Sequence, residues 1–279
     1  VVSQVAVVLD YNSLWANRIK PIHKECTYEG YAQQLVGQLA ALGVNVDLIG
    51  ADHPLDGYRL VLVPFAPILP EDFRRKCRDY AEKGGHLLAM TMAFSRDEWG
   101  SGIFEKSPVG MTDFFGMHVV EMEPVFDGQT DAPVRIGELT IRSHFWQETL
   151  ESEGAEVLGT FCGTYRDGWP VLTEHPYGKG SALYLGTAPA PEDAPALLRW
   201  LLERCGVSLP PVEMAYGLSV VTRFSETERY VFVFNSLPRE QVCRLIRPLE
   251  ADYGIGELAG QTLRLPAKGF QILHERWEG

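Results

Sequence analysis

Two short segments of this chain place carboxylates beside aromatic rings, and each comes after an apolar run of residues. The first is Asp10-Tyr11 with Trp15, and the second is Asp97-Glu98-Trp99. Aromatic rings stack on the apolar face of a sugar, while carboxylates accept hydrogen bonds from its hydroxyl groups. Glycoside hydrolysis also needs two carboxyl groups at a defined separation, which the sequence does not fix for these acids. The pattern predicts a candidate substrate rim of Tyr11, Trp15, Asp97, Glu98 and Trp99, although loop or interface residues are the simpler interpretation.

A second candidate site is the turn after His86–Met90, an apolar run that follows Gly84-Gly85. This layout resembles the class I glutamine amidotransferase fold, which places a nucleophilic cysteine on a tight turn directly after such a strand. The turn in this chain reads Met90-Thr-Met-Ala-Phe94, with neither a cysteine nor the small glycines that the turn needs. Thr91 could replace the nucleophile, but no activating base is visible. We therefore predict an inert turn, no catalytic residue, and a buried, unreactive thiol at Cys77 on the preceding helix.

The elements that must position these segments are short apolar runs separated by helix-like stretches. Runs without polar alternation are typical of strands that are covered on both faces, as in a parallel sheet. Their alternation with helices indicates βαβ units with right-handed crossovers. The sequence therefore predicts an open, mostly parallel α/β sheet with helices on both faces, in which Arg59–Pro64 is an interior strand. The runs are Val5–Asp10, Val44–Ile49, Arg59–Pro64 and His86–Met90.

Two changes of pattern divide the chain further. Asp10–Trp15 has the composition of a turn-rich polar segment, and a helix is predicted from about Gly30. Ser208–Pro211 has the composition of a linker, and beyond it the apolar period changes to two, which is typical of antiparallel strands. We therefore predict an α/β domain at residues 1–207 and a small antiparallel all-β domain at residues 212–279.

Composition and charge exclude several classes of function. The chain has 279 residues and a formal net charge of −12, and its longest basic cluster is the pair Arg74-Arg75. Nucleic acids and anionic membranes both require a basic surface, so neither is an expected partner. The five cysteines are scattered, and no His-x-x-x-His spacing occurs among the seven histidines. These patterns predict no metal, no cofactor and a reducing compartment, the cytoplasm.

The start of the chain carries a separate expectation. It lacks an initiator methionine and enters its first apolar run at Val5, without a basic segment that would indicate a signal peptide. We therefore expect the sequence to be a piece of a longer protein.

An ordered series of weak motifs extends from Val5 nearly to the C-terminus. It opens with Val5-Ala-Val-Val-Leu-Asp-Tyr-Asn-Ser-Leu-Trp-Ala16. The later motifs are Leu42-Gly-Val-Asn-Val-Asp47, Leu55-Asp-Gly-Tyr-Arg-Leu-Val-Leu-Val-Pro64, Gly84-Gly-His-Leu-Leu88, Ser95-Arg-Asp-Glu98, Phe115-Gly116, Glu121-x-Glu-Pro124, Gly154-Ala-Glu-Val-Leu158, Tyr177-Gly-Lys-Gly-Ser-Ala-Leu-Tyr-Leu-Gly186, Val221-Thr-Arg223 and Tyr230–Asn235. Together they resemble the middle and C-terminal domains of glycoside hydrolase family 42 β-galactosidases. One departure is Leu14, where many members have the first of two tryptophans.

The resemblance implies a non-catalytic region of a larger enzyme. Members of this family carry both catalytic glutamates, and in many cases a cysteine zinc site, on a (β/α)8 barrel that this chain lacks. Their middle domain is an amidotransferase-like trimerisation domain without the nucleophilic cysteine. The resemblance therefore implies a homotrimer that is inactive by itself and meets its galactoside substrate only through the missing barrel. Phe145, Trp146 and Trp15 are the aromatics expected to be exposed for assembly.

Two other functions compete with this interpretation. A self-standing amidotransferase-like hydrolase would need the nucleophile turn that Met90–Phe94 does not supply. A stand-alone amidotransferase-like domain that binds carbohydrate or another protein would need only the aromatic and acidic residues described above.

Overall fold

The computed structural model describes residues 3–21, 23, 26–97, 99–101, 105–125 and 132–276. The chain divides into two compact units. The first consists of Val5–Val36 and Asp47–Gly206, and the second of Val1–Gln4, Gly37–Val46 and Val207–Gly279. Among the described residues no helix is long and apolar enough to cross a bilayer.

The α/β part of the chain contains the following elements in order. They are β1 (Val5–Val8), α1 (Tyr11–Ile19), α2 (Tyr28–Ala41), β2 (Val46–Ile49), β3 (Leu60–Val63), α3 (Glu71–Glu82), β4 (His86–Met90), α4 (Thr112–Phe115), β5 (Met117–Pro124), β6 (Pro133–Ile136), β7 (Leu139–Ser152), β8 (Glu156–Phe161), β9 (Pro170–Tyr177), β10 (Gly180–Leu185), β11 (Thr187–Pro189) and α5 (Ala194–Arg204).

The strands form one mixed sheet in the order β11-β7-β6-β8-β9-β10-β4-β3-β1-β2, with β5 paired to β7. The predicted parallel pairing is found between β1 and β3, β3 and β4, and β4 and β10. Beyond β10 the sheet continues antiparallel, since short hairpins such as the one joining Tyr177 to Gly180 can only connect antiparallel strands. The interior position predicted for Arg59–Pro64 is confirmed, because β3 lies between β1 and β4. Every residue of β1 and β3 is buried, so both faces of these strands are covered.

The larger helices follow the predicted apolar spacing. Helix α2 begins at Tyr28, two residues before the predicted start, because the Thr27 hydroxyl accepts the Gly30 N–H at 3.1 Å and caps the first turn. The residues predicted as buried on α2, α3 and α5 are buried in the structure. They are Tyr31, Leu35, Leu39, Phe73, Cys77, Tyr80, Leu197, Leu198, Leu201 and Leu202.

The prediction of a turn-rich polar segment at Asp10–Trp15 is wrong, because helix α1 occupies Tyr11–Ile19. Asp10 is the N-cap of this helix, and its carboxylate accepts the Ser13 N–H at 2.9 Å. Asp, Asn and Ser are common both in turns and at helix N-termini, since their short side chains hydrogen-bond nearby backbone groups in either setting. Composition alone therefore did not separate the two structures.

The second unit contains the predicted antiparallel strands in two sheets. The first sheet has the order β12 (Leu218–Phe224), β13 (Glu228–Asn235), β18 (Phe270–Arg276), β15 (Glu250–Gly254), and the second has the order β14 (Gln241–Arg244), β17 (Thr262–Leu265), β16 (Glu257–Ala259). Alternate residues of β13 are buried, as the period of two predicts. The core of this unit is formed by Val212, Leu218, Val220, Val231, Val233, Cys243, Leu245, Leu249, Leu263, Leu265 and Leu273.

Candidate functional site

Helix α1 carries three large apolar side chains on its solvent-exposed surface. Tyr11, Trp15 and Ile19 follow one another at intervals of four residues, and their exposed fractions are 67%, 57% and 86%. Residues at this spacing lie on the same face of a helix. The rings of Tyr11 and Trp15 are neighbours, with centroids 6.2 Å apart. We call these three residues the α1 stripe.

The opposite face of α1 is polar and buried. The Ser13 hydroxyl donates to the Ile68 carbonyl at 2.7 Å and accepts the Ile68 N–H at 3.1 Å. The Asn17 amide donates to the carbonyls of Ser13 and Phe65 at 2.9 and 3.3 Å. A surface helix normally buries its apolar face and exposes its polar one. Except for the buried Leu14, α1 has the reverse arrangement, and its buried side is fixed by hydrogen bonds.

Asp10, the acid of the first segment, is a structural group. Its side chain is used by the cap of α1, and its backbone N–H donates to the Tyr28 hydroxyl at 3.0 Å. Burial raises the pKa of the Asp10 carboxyl, and the hydrogen bond from Ser13 opposes that rise. The structure thus joins Tyr11 and Trp15 on one helix but uses Asp10 to hold the helix in place.

Asp97 and Trp99 of the second acid–aromatic segment lie in a loop whose Gly100 approaches Ile68. The Asp97 carboxylate accepts the N–H groups of Trp99 and Ser101 at 3.0 and 2.7 Å, so it stabilises its own loop. Glu98 lies outside the described residues, and Trp99 is 84% exposed. A Cβ atom added to Gly100 would lie 2.9 Å from Cδ1 of Ile68. Ile68 is also the residue whose backbone forms hydrogen bonds with Ser13 of α1. Ile68 is therefore a common neighbour of both predicted segments.

Phe145 and Trp146 do not form the exposed aromatic surface expected from the sequence. Both are only partly exposed. The ring of Phe145 lies 3.9 Å from that of His144 and 5.2 Å from that of His23, measured between centroids. A register shift where β7 pairs with Thr187 and Ala188, together with a φ of 62° at Phe145, interrupts the strand at this point. A bulge re-aims the side chains beside it, which accounts for the partial burial of Phe145 and Trp146.

The turn after β4 has a strained backbone and a buried hydroxyl. Met92 and Phe94 have φ values of 65° and 57°, in the left-handed region that non-glycine residues seldom adopt. Thr91 is fully buried, and its hydroxyl has no hydrogen-bond partner among the described residues. Cys77 is fully buried as well, and this burial raises the pKa of its thiol.

A buried carboxyl group, Glu148 on β7, lies under this turn. One of its oxygens accepts the Met92 N–H at 2.9 Å and the other accepts the Tyr184 hydroxyl at 2.9 Å. Glu148 is 1% exposed, and burial raises the pKa of its carboxyl. The hydrogen bonds from the Tyr184 hydroxyl and the Met92 N–H oppose that rise. Glu148, on β7, therefore connects the strained turn after β4 to the antiparallel part of the sheet.

Sequence reasoning missed Glu148, and no local signal could have revealed it. The residue lies in the run Gln147-Glu-Thr-Leu150, all four members of which are buried. Charged side chains are rarely buried, so a glutamate in a strand predicts an exposed position. Its burial depends on Met92 and Tyr184, which are 56 and 36 residues distant in the sequence.

The Glu121-x-Glu-Pro124 motif holds a buried arginine. Arg166 is 1% exposed, and its guanidinium lies 2.8 Å from the Glu123 carboxylate and 3.3 Å from the Glu121 carboxylate. It also donates to the Gln147 side chain at 2.9 Å and lies 4.8 Å from the Tyr165 ring centroid. These contacts tie β5 to the loop before β9, so the motif has a structural role.

An open cleft of about 600 Å³ lies at the C-terminal ends of β1 and β2 and the start of α3. Open α/β sheets bind ligands at such ends, and this volume suits a small molecule. The Lys76 ammonium in the cleft donates to the carbonyls of Ala51 and Asp52 at 3.1 and 2.6 Å. Tyr11 also lines the cleft. Among the described residues, no group of three His, Cys, Asp or Glu side chains is placed to hold a metal ion.

Known proteins match this chain along nearly its whole length. The profile described as "Beta-galactosidase trimerisation domain" matches residues 3–208. Beta-galactosidase LacZ of Heyndrickxia coagulans is 28% identical over 275 residues, which cover 97% of this chain and 40% of that protein. Beta-galactosidase BgaA of a Planococcus species is 25% identical over 277 residues, which cover 97% of this chain and 41% of that protein. The chain therefore spans about two fifths of the length of these curated relatives.

Solved structures show the same fold. The crystal structure of the β-galactosidase from Bacillus circulans sp. alkalophilus has a TM-score of 0.85 at 20% identity and covers 98% of this chain and 41% of that chain. The β-galactosidase from the haloarchaeon Halorubrum lacusprofundi has a TM-score of 0.83 at 24% identity, and the match covers 99% of this chain and 40% of that chain.

These matches confirm the resemblance found in the sequence motifs. The profile covers well over half of the chain, and the alignments cover about two fifths of the length of each relative. The chain therefore belongs to the β-galactosidase trimerisation domain family and corresponds to the non-catalytic trimerisation and C-terminal part of glycoside hydrolase family 42 β-galactosidases.

Proposed function

We propose that this chain assembles a β-galactosidase into a homotrimer, and that the complete protein hydrolyses terminal β-D-galactosides. The observation that carries the proposal is the match of residues 3–208 to the trimerisation profile, together with alignments that leave about three fifths of each relative uncovered. The galactoside would meet catalytic residues on the part of the protein that lies outside this chain.

The proposal assigns no chemistry to the turn after β4. A nucleophile needs an activated hydroxyl or thiol that substrate can reach. Thr91 is fully buried without a hydrogen-bond partner among the described residues, and the carboxyl of Glu148 is occupied by Met92 and Tyr184. The strained φ of Met92 supports an amidotransferase-like architecture for residues 1–207, in which the turn has kept its shape without its nucleophile. Residues 212–279 would form the separate C-terminal β domain.

The proposal also includes the cellular location. All five cysteines are free thiols, and four of them are buried. Free thiols are usual in a reducing compartment, and we therefore place the protein in the cytoplasm.

Light scattering coupled to gel filtration tests the proposal directly. We expect the purified chain to elute at three times its own mass and to show no turnover of nitrophenyl β-galactoside. A mass of one chain across the micromolar range would contradict the assembly role. Turnover that is lost on substitution of Thr91 or Glu148 would contradict the assignment of catalysis to the missing part.

A second candidate function is a carbohydrate-binding or interaction module. The observation that favours it is the exposed Tyr11–Trp15 pair beside the cleft that Tyr11 lines. Isothermal titration calorimetry with galactose and lactose distinguishes the two functions. Binding that disappears in Trp15→Ser, in a protein that remains monomeric, would favour the binding module.

A further inference from the structure

We propose that the α1 stripe of Tyr11, Trp15 and Ile19 is the central contact between neighbouring copies of this chain. The inference rests on the trimer of the proposed function and identifies the surface that builds it. The profile that carries the assembly role covers residues 3–208, and α1 lies within it.

The reversed polarity of α1 is the main argument. A helix that buries Ser13 and Asn17 gains little from the hydrophobic effect, while it leaves three large apolar side chains in water. The three hydrogen bonds to the backbone of Ile68 and Phe65 prevent the helix from rolling to bury them. The fold thus presents the stripe outward on a rigid support, and contiguous exposed apolar surface of this kind marks an interaction site.

The surroundings of the stripe match the anatomy of a protein interface. Arg18, on the same helix, donates to the Glu29 carboxylate at 3.0 and 3.1 Å, and this exposed ion pair supplies a polar rim. The exposed indole of Trp99 stands on the loop that shares Ile68 with α1. Stable interfaces combine an apolar, aromatic-rich centre with such a rim.

Tyr165, another exposed aromatic residue within residues 3–208, already forms contacts within the chain. Tyr165, which is 69% exposed, donates to the Glu123 carboxylate at 3.1 Å and stacks beside the Arg166 guanidinium. Its hydroxyl and its ring face therefore contact charged side chains of the same molecule, whereas the rings of Tyr11 and Trp15 contact each other within the stripe.

A cyclic trimer also defines what the stripe contacts. Its interfaces are heterologous, so the stripe of one copy must pack on a different surface of the next copy unless it lies on the three-fold axis itself. A stripe of three side chains is smaller than a stable interface, which buries about 800 Å² on each partner. The stripe is therefore the energetic centre of a larger contact, where a tryptophan commonly dominates the binding energy.

The test compares Trp15→Ser and Ile19→Ser with Trp169→Ser by sedimentation equilibrium. Trp and Ser have similar helix propensities, so α1 should remain intact, and circular dichroism checks this. Trp169 is 43% exposed and lies outside α1, which makes it a matched control. We expect each α1 variant to weaken trimerisation by at least about 30-fold, equal to about 2 kcal/mol, and the control to leave it unchanged. Ile19→Ser, at the most exposed position of the stripe, remains informative if Trp15→Ser folds poorly.

Three outcomes would overturn the proposal. If wild type and both α1 variants form equally stable trimers, the stripe is not the contact, while the proposed function stands. If the variants remain trimeric but lose binding of galactose or lactose, the stripe is a sugar rim. If wild type is a monomer throughout the micromolar range, the proposed function and this inference both fail.

Discussion

Helices α1 and α5 belong to the same unit of the protein but relate to solvent in opposite ways. Helix α5 buries Leu197, Leu198, Leu201 and Leu202, each at most 3% exposed. Helix α1 instead turns Ser13 and Asn17 inward and the α1 stripe outward. Burial of a leucine contributes about 1.5–3 kcal/mol, so the packing of α5 accounts for its own stability. No comparable burial among the described residues accounts for the α1 stripe, whose side chains would gain by burial against a further protein surface.

The difference separates residues that stabilise the fold from residues that serve assembly. A substitution on the buried face of α5 should affect unfolding alone. A substitution on the α1 stripe should affect association alone, and one on the buried polar face of α1 should affect the orientation of the stripe. The following measurements test that division, from the largest expected effect to the smallest.

Leu201→Ala should lower the free energy of unfolding by about 2–5 kcal/mol, because it removes a fully packed side chain and leaves a cavity. Leu201 is 1% exposed in α5. Urea denaturation followed by circular dichroism gives the value. A loss smaller than about 1 kcal/mol would show that α5 contributes less to the core than its burial indicates.

Ser13→Ala should lower the free energy of unfolding by about 1–3 kcal/mol, because it leaves the Ile68 N–H and carbonyl without their hydrogen-bond partner. The same variant should also weaken association, since the hydroxyl fixes the direction in which α1 faces. Ser219→Ala, at an exposed position of β12, is the control and should change stability by less than about 0.5 kcal/mol. Unchanged stability in Ser13→Ala would mean that α1 is not held by these bonds.

Glu148→Gln should change the pH dependence of stability. Burial raises the folded-state pKa of Glu148 above its ordinary value of 4.5, so the folded protein binds its proton more tightly than the unfolded chain does. Glu148 should therefore contribute a decrease in the wild-type free energy of unfolding as pH rises from about 4.5 through its folded pKa, and the Gln variant should lack this contribution. Thermal unfolding at a series of pH values measures both curves. Glu151→Gln, exposed on the same strand, is the control and should keep the wild-type slope.

Trp15→Ser should have the smallest effect on the stability of the isolated subunit, less than about 0.5 kcal/mol, because its side chain is mostly in solvent. Its effect should grow with protein concentration, since association stabilises only the wild type by mass action. Thermal unfolding over a range of concentrations separates the two contributions. A large loss of stability that does not depend on concentration would place Trp15 with the core residues and remove the contrast between α1 and α5.

Features that depend on a single element could be predicted from the sequence. The apolar runs of β1, β3 and β4 indicated buried strands, and the spacing of Phe73, Cys77 and Tyr80 indicated the buried face of α3. In the second unit, the period of two identified the antiparallel strands. In each case neighbouring residues on one strand or helix carry the signal, because their spacing alone decides which share a face. The ordered motifs likewise identified the family that the comparisons confirm.

Features that depend on distant parts of the chain were decided only by the tertiary structure. Composition suggested a turn at Asp10–Trp15, but hydrogen bonds between Ser13 and Ile68, 55 residues apart, give α1 its place and the direction of its apolar face. The burial of Glu148 likewise depends on Met92, 56 residues distant, and the partial burial of Phe145 on a bulge opposite β11. Helical spacing groups Tyr11, Trp15 and Ile19 on one face of α1 but would place that face inward, so long-range hydrogen bonds determine which residues the helix leaves exposed.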